Sequence, residues 1–311
     1  MTLASIVMAL VFEQFHALPV QRMVRIPLAR MAAFLEDKFN DGGRAHGAIA
    51  WWLGAALPAA LVSLAHALLM RYQPLLAFLL GIGVLYLTMG FRQFSHFFND
   101  IHLALRVGEV EQARLLLAQW RGRSGDRLTS SEIARLAIER ALLSSHRYVF
   151  APLLWFAVLG PAGALLYRLA QALDELWGER RETEFGEFGR FAQQAFALID
   201  WLPIRMTAGS FAVVGDFEDA VACWRTQADR WATQEGGMAI GILLAAGGGA
   251  LGVQLGGTLP TLTGDPDVRP ELGLGDPVEP DVLPSAVGLV WRALVLWLLL
   301  ILLLTIANLA P

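Results

Sequence analysis

Apolar residues in this chain fall into long runs separated by arginine-rich stretches. The first run, Ala48–Met70, is interrupted only by Pro58, Ser63 and His66. It is long enough to cross a hydrocarbon core about 30 Å thick, and Trp51 and Trp52 at its head suit the headgroup level. Only Arg71, Tyr72 and Gln73 separate it from the second run, Pro74–Gly90, which predicts a tight hairpin. A third run, Tyr148–Leu173, contains Pro152 and Gly160-Pro161. The fourth, Ala195–Val214, holds Asp200, Pro203 and Arg205. Charged groups inside an apolar segment are costly and normally face protein or water, so a packed or re-entrant helix is expected there. Met238–Gly257 is rich in Gly and Ala, and Val287–Leu309 reads as a terminal span. Met1–Phe12 is apolar, too short to span and without a basic flank. It predicts an interfacial or half-spanning helix rather than a cleaved signal.

Between the second and third runs the pattern changes. Arg92–Arg147 carries Arg at 92, 106, 114, 121, 123, 127, 135, 140 and 147. Apolar positions such as Ile101, Leu105, Leu115, Ile133, Leu136 and Leu142 recur there at helical spacing,. Gly122–Gly125 divides the segment, and Thr129 followed three residues later by Glu132 forms a capping box,. An aqueous helical subdomain is expected. Asp216–Gln234 reads as an amphipathic helix. Thr258–Pro284, with six prolines and six acids, predicts an extended loop without regular elements,.

Composition sharpens this picture. The chain is 56% hydrophobic and 17% charged, with a mean hydropathy of +0.50, against about 25% charge in a soluble domain. The net charge of −4 averages a basic first half and an acidic late loop. No global basic field is present, which excludes nucleic acid as a partner. Every basic residue except Lys38 is arginine, and the concentrations at 20–44 and 92–147 place both segments on the cytoplasmic side,. A single cysteine, Cys223, excludes an internal disulfide framework and a multi-cysteine metal site,; it is expected as a small buried apolar residue.

Few motifs carry chemistry. Gly247-x-Gly249-x-x-Gly252 matches a dinucleotide fingerprint by letter, but no strand precedes it,. Gly248, Gly252 and Gly256 at four-residue spacing fit a close helix-packing face instead. Glu13-x-x-His16 and His96, Asp100 and His102 have spacings a metal could use, but no second such element accompanies them,. No metal is expected, and polar contacts at the membrane boundary account for these side chains. Asp200-Trp-Leu-Pro-Ile-Arg205 is compatible with a buried ion pair or with an anion-binding site built on the arginine fork. No Ser/His/Asp order or Walker loop is present.

These residues resemble the CobD/CbiB superfamily, which includes the adenosylcobinamide-phosphate synthases and the AmpE inner-membrane proteins. Ser144–Phe156, Asp200–Arg205 and the opening Met1–Glu13 look like AmpE. Gly125-Asp126, Ile133–Glu139, Ala151-Pro152-Leu153, Tyr167–Asp174 with Gly178, Pro203-x-Arg205 and Ala250–Gly257 are similar to the synthases. The resemblance implies amide formation between an amino-alcohol phosphate and a cobyric-acid carboxylate for the synthases, and a role in β-lactamase induction for AmpE. Several carboxylates of the synthase pattern are missing: Leu143, Ser144 and Arg147 stand in place of a Glu-Asn pair and a nearby Asp, and Phe196-Ala197 in place of an acidic pair.

The expectation is therefore an all-α, polytopic inner-membrane bundle of about four or five spans with a helical aqueous subdomain. Its segments are an interfacial or re-entrant 1–46, a transmembrane hairpin 47–91, a cytoplasmic subdomain 92–147, membrane helices with a polar cleft at 148–257, a Pro/acidic loop 258–286 and a terminal span 287–311. The first functional reading is a non-catalytic, AmpE-like sensing protein; the alternative is the cobalamin-pathway amide synthase. Candidate cleft residues are Glu139, Asp174, Asp200, Arg205, Gln254, Gly256 and Gly257. The lipid bilayer is the expected partner, and a protein partner or a second copy of the chain is compatible with it. No cofactor is expected, a corrinoid being implied only by the alternative.

Overall fold

The computed structural model describes residues 2–15, 24–122, 128–178, 180, 185–234, 236–260 and 267–307. Among the described residues, the protein is all-α apart from three short strands. Four helical stretches among the described residues are long and apolar enough to cross a membrane: Arg44–Tyr72, Ser130–Leu159, Arg190–Val214 and Pro280–Ala307. The chain is thus a multi-pass membrane protein. It divides into two compact units, one of residues 1–90 and 148–203, the other of residues 91–147 and 204–311.

The first unit is built from α1 (Thr2–Phe15), α2 (Ile26–Phe39), α3 (Arg44–Trp51), α4 (Leu57–Tyr72) and α5 (Pro74–Thr88). α6 (Phe91–Arg106), α7 (Val110–Arg121) and α8 (Ser130–Ser145) belong to the second unit. α9 (Ala151–Leu159) and α10 (Pro161–Leu173) return the chain to the first, as does the start of α11 (Arg190–Val214). α4 and α5 form the expected hairpin around Gln73, whose backbone caps both helices. α5 has 15 residues, so it extends about 22 Å against a core of about 30 Å. Only 17% of the most apolar stretch of Arg44–Tyr72 is buried, and Leu57, Leu61, Leu64 and Leu68 form an exposed apolar stripe. A stripe of that length at helical spacing faces lipid. The aromatic core lies elsewhere in this unit, where Trp51, Tyr167, Trp177, Phe185, Phe188 and Phe196 pack together.

The second unit completes α11 and adds α12 (Phe217–Gln227), α13 (Gly237–Leu251) and α14 (Leu283–Ala307). The capping box at Thr129 is present: its side chain accepts from the Glu132 N–H, and Glu132 Oε2 accepts from the Thr129 N–H at 2.7 Å. Such a cap contributes about 1 kcal/mol. α13 packs closely because its glycines admit neighbouring backbone. A Cβ at Gly249 would meet the Asp219 carbonyl of α12 at 2.6 Å, and one at Gly247 the Leu142 side chain of α8 at 2.6 Å. The predicted face of Gly248, Gly252 and Gly256 is not continuous, since Gly252 is a left-handed C-cap and Gly256 lies in a strand. Cys223 is buried on α12 as expected, and burial pushes its thiol pKa up, with Asp219 adding to the shift.

The Pro/acidic segment departs from the expected loop. β1 (Val253–Gly256) pairs antiparallel with β2 (Glu271–Leu272) and parallel with β3 (Asp276–Pro277), in the order β2-β1-β3. Pro277 is tolerated because β3 is an edge. Glycines 256, 257, 273 and 275, all at positive φ, let the chain reverse around these strands,. The last helix starts at Leu283, earlier than its apolar run suggests. α11 is likewise longer than its apolar core and runs unbroken through Pro203.

Candidate functional site

The positions Leu136, Glu139, Arg140 and Leu143 recur at three- and four-residue spacing, which aligns them on one face of α8,. Arg147, in the π turn that continues the helix, extends that face. With Arg121, Trp231, Ile240, Leu244 and Arg269 they line a cavity of about 150 Å³, wholly within the second unit. Charged side chains in a helix able to span a membrane are expensive and normally serve function. Here the charges occupy the Ser130–Arg147 part, while Tyr148–Leu159 carries none.

Glu139 organises one wall. Its carboxylate is buried and accepts from the Gly256 N–H at 2.7 Å and from Arg269 Nη1 at 2.8 Å and Nη2 at 3.3 Å. Arg269 also donates to the Gly256 and Gly257 carbonyls, both at 3.4 Å, and lies over the Trp231 ring. One turn earlier on α8, Arg135 Nη2 donates to the Thr258 carbonyl at 3.1 Å. α8 thereby fixes the backbone at 256–258. Gly256 and Gly257 have φ of +74° and +75°, and a Cβ at Gly256 would stand 2.0 Å from the Pro270 carbonyl.

Four guanidiniums thus face a cavity with one carboxylate, and that carboxylate is already paired with Arg269. Arg140 Nε is buried and has no hydrogen-bond partner among the described residues. Planar arginine forks in such an arrangement favour an oxyanion.

Of the residues expected in the site, the structure brings together Glu139, Gly256 and Gly257; Gln254 lies on the same strand, paired with Pro277. Arg205 is in the same unit but does not line the cavity. Asp174 and Asp200 belong to the other unit. There the Asp200 carboxylate is buried and accepts from the Tyr167 hydroxyl at 2.9 Å, close to the chain Arg168–Gln171–Glu175. Sequence reasoning missed Arg121, Arg140, Arg147, Arg269 and Trp231. The helical register from Glu139 could have found Arg140 and Arg147. Arg269 is the one basic residue in 258–284, an anomaly that could have singled it out. Among the described residues, no group of three or more His, Cys, Asp or Glu could hold a metal ion. His16, Gly125 and Asp126 lie outside the described residues.

Comparison with known proteins adds the family. The family model described as CobD/Cbib protein matches residues 6–290. The chain belongs to the CobD/CbiB family. It is 35% identical over 302 residues, 96% of each chain, to the cobalamin biosynthesis protein CobD of Stutzerimonas stutzeri. It is 37% identical over 224 residues to the CobD of Chromobacterium violaceum, covering 72% of this chain and 70% of that one. A Geobacter metallireducens CobD is 32% identical over 179 residues, or 57% of this chain and 55% of the relative. No solved structure matches the chain significantly. The expectation of a non-catalytic, AmpE-like signalling protein is thereby overturned, because CobD/CbiB relatives spanning most of the chain are named for cobalamin biosynthesis. The missing carboxylates were a poor guide: Leu143 and Arg147, two of the substituted positions, line the cavity beside a retained Glu139.

Proposed function

We propose that this chain forms an amide bond in cobalamin biosynthesis, joining the amine of an amino-alcohol phosphate to a side-chain carboxylate of adenosylcobyric acid. The observation that supports this most strongly is the identity to a cobalamin biosynthesis protein along 96% of both chains. The arginine-lined cavity is consistent with it, since the substrates bring carboxylate and phosphate groups. The corrinoid is a substrate in this reading.

The chemistry requires an activated carboxylate. A nucleoside triphosphate supplies a phosphoryl group to the carboxylate oxygen. The amine then attacks the acyl carbon, the C–N bond forms, the C–O bond to phosphate breaks, and the ammonium proton leaves to solvent. Guanidiniums stabilise anionic oxygens in such a step because they are fixed before charge develops. The arginine bias of 92–147 supports its placement on the cytoplasmic side of the inner membrane,.

Complementation tests the reading. In a bacterium lacking its own adenosylcobinamide-phosphate synthase, expression of this chain is expected to restore B12-dependent growth on cobyric acid. Failure to grow, with the protein present in the membrane, would count against it.

A further inference from the structure

We infer that the outer face of α2 binds the headgroups of acidic phospholipids and seats this helix at the membrane surface. The residues of α2 sort into two faces. Leu28, Met31, Ala32, Leu35 and Phe39 recur at helical spacing and pack against the aromatic core of the first unit,. Away from them, Ile26, Arg30, Phe34 and Lys38 stand four residues apart and are all exposed, Phe34 by 60%. Residues four apart lie one above the other on a helix, so this face alternates apolar and cationic tips.

That alternation suits neither bulk phase. Water leaves Ile26 and Phe34 uncovered, and hydrocarbon leaves Arg30 and Lys38 unsolvated. At the boundary the apolar tips reach the acyl chains while the charged ends stay among the headgroups. Packing sets the same level. A Cβ at Gly54 would stand 2.9 Å from Leu35 Cδ1, so α2 lies close against the head of the Arg44–Tyr72 span. Beside that contact is Trp52, which is 60% exposed; an exposed tryptophan at the end of a span marks the headgroup layer.

Charge selects the lipid. The acids of α2 are Glu36 and Asp37. Glu36 is paired with Arg180 at 2.7 Å, so Asp37 alone stands against Arg25, Arg30 and Lys38, all of them exposed. Among the described residues none of these three forms an ion pair with an acid. An anionic bilayer surface attracts each basic side chain beside it by about a factor of five, and a zwitterionic one has no such net field. The site is independent of amide synthesis.

The test uses the full chain with Cys223→Ala, which removes the buried thiol, and with Ala33→Cys, an exposed position of α2, labelled with a fluorophore. The protein is reconstituted in vesicles of three parts phosphatidylcholine to one part phosphatidylglycerol. Quenching is measured with a nitroxide carried near the headgroup of one lipid or the other, and with a neutral paramagnetic quencher dissolved in water. The lipid nitroxides are expected to quench, and their ratio to report phosphatidylglycerol enriched about five-fold or more around α2. Arg30→Gln combined with Lys38→Gln should bring that enrichment close to one. Arg30→Lys should keep it, because the charge rather than the guanidinium fork is recognised. Arg71→Gln, at the far end of the same span, should behave as the parent does. Equal quenching by the two lipids in the parent overturns the site, and so does enrichment that survives the double substitution. Quenching from water alone overturns it in favour of a solvated face, and protection from both quenchers does so in favour of a covering protein. The parent's own ratio decides the matter even where the double variant fails to fold.

Discussion

Glu139→Ala is expected to destabilise the protein by about 3–5 kcal/mol, because it leaves Arg269 as an uncompensated buried charge. The two side chains are only 9% and 10% exposed, and they meet at 2.8 Å. The alanine would also remove the acceptor of the Gly256 N–H. Pairing the change with Arg269→Met should return much of the loss, since replacing a whole buried ion pair with apolar groups is often close to neutral. Unfolding midpoints of the two single variants and the double variant, measured in the same detergent, give the coupling directly. Equal destabilisation by the single and double variants would show that the pair is not the structural clasp described here. Amide synthesis should fall in all three, because the clasp holds the cavity wall even where stability recovers.

The second large effect is expected at Gly256. Gly256→Ala places a Cβ 2.0 Å from the Pro270 carbonyl at a φ of +74°. Backbone strain of about 1–3 kcal/mol adds to an overpacking cost of about 1–3 kcal/mol. Gly252→Ala is the matched control: its φ is +67°, but nothing lies within 4 Å of the added Cβ. It should cost only about 1 kcal/mol. A loss of stability at Gly256 no larger than at Gly252 would show that the strand turn yields easily and does not fix the site.

Much of the fold was legible because lipid imposes a simple rule. The long apolar runs, the Gln73 hairpin and the Thr129 cap all follow from local spacing; the hairpin and the cap are where they were expected, while the last helix starts four residues before its apolar run. The strands were hidden because Pro277 and the acids of 258–284 mask elements of two to four residues, which exist only through pairing with β1. The site was half legible. Glu139, Gly256 and Gly257 stood out as letters, but their partner Arg269 lies 130 residues from Glu139 in sequence, a contact no local pattern carries. Asp174 and Asp200 were grouped with them on shared apolar context alone, and both belong to the other unit, where Asp200 accepts from the Tyr167 hydroxyl. The functional misreading had one cause. Absent carboxylates at 143, 144 and 147 were read as lost chemistry, whereas two of those positions line a basic cavity.

Synthesis by the protein itself tests the account most directly. The full chain in detergent is to be incubated with adenosylcobyric acid, an amino-alcohol phosphate and a nucleoside triphosphate, with the Stutzerimonas stutzeri relative assayed alongside. Mass spectrometry should find a corrinoid heavier than adenosylcobyric acid by the amino-alcohol phosphate less one water, formed by both proteins. Product from the relative and none from this chain would contradict the account.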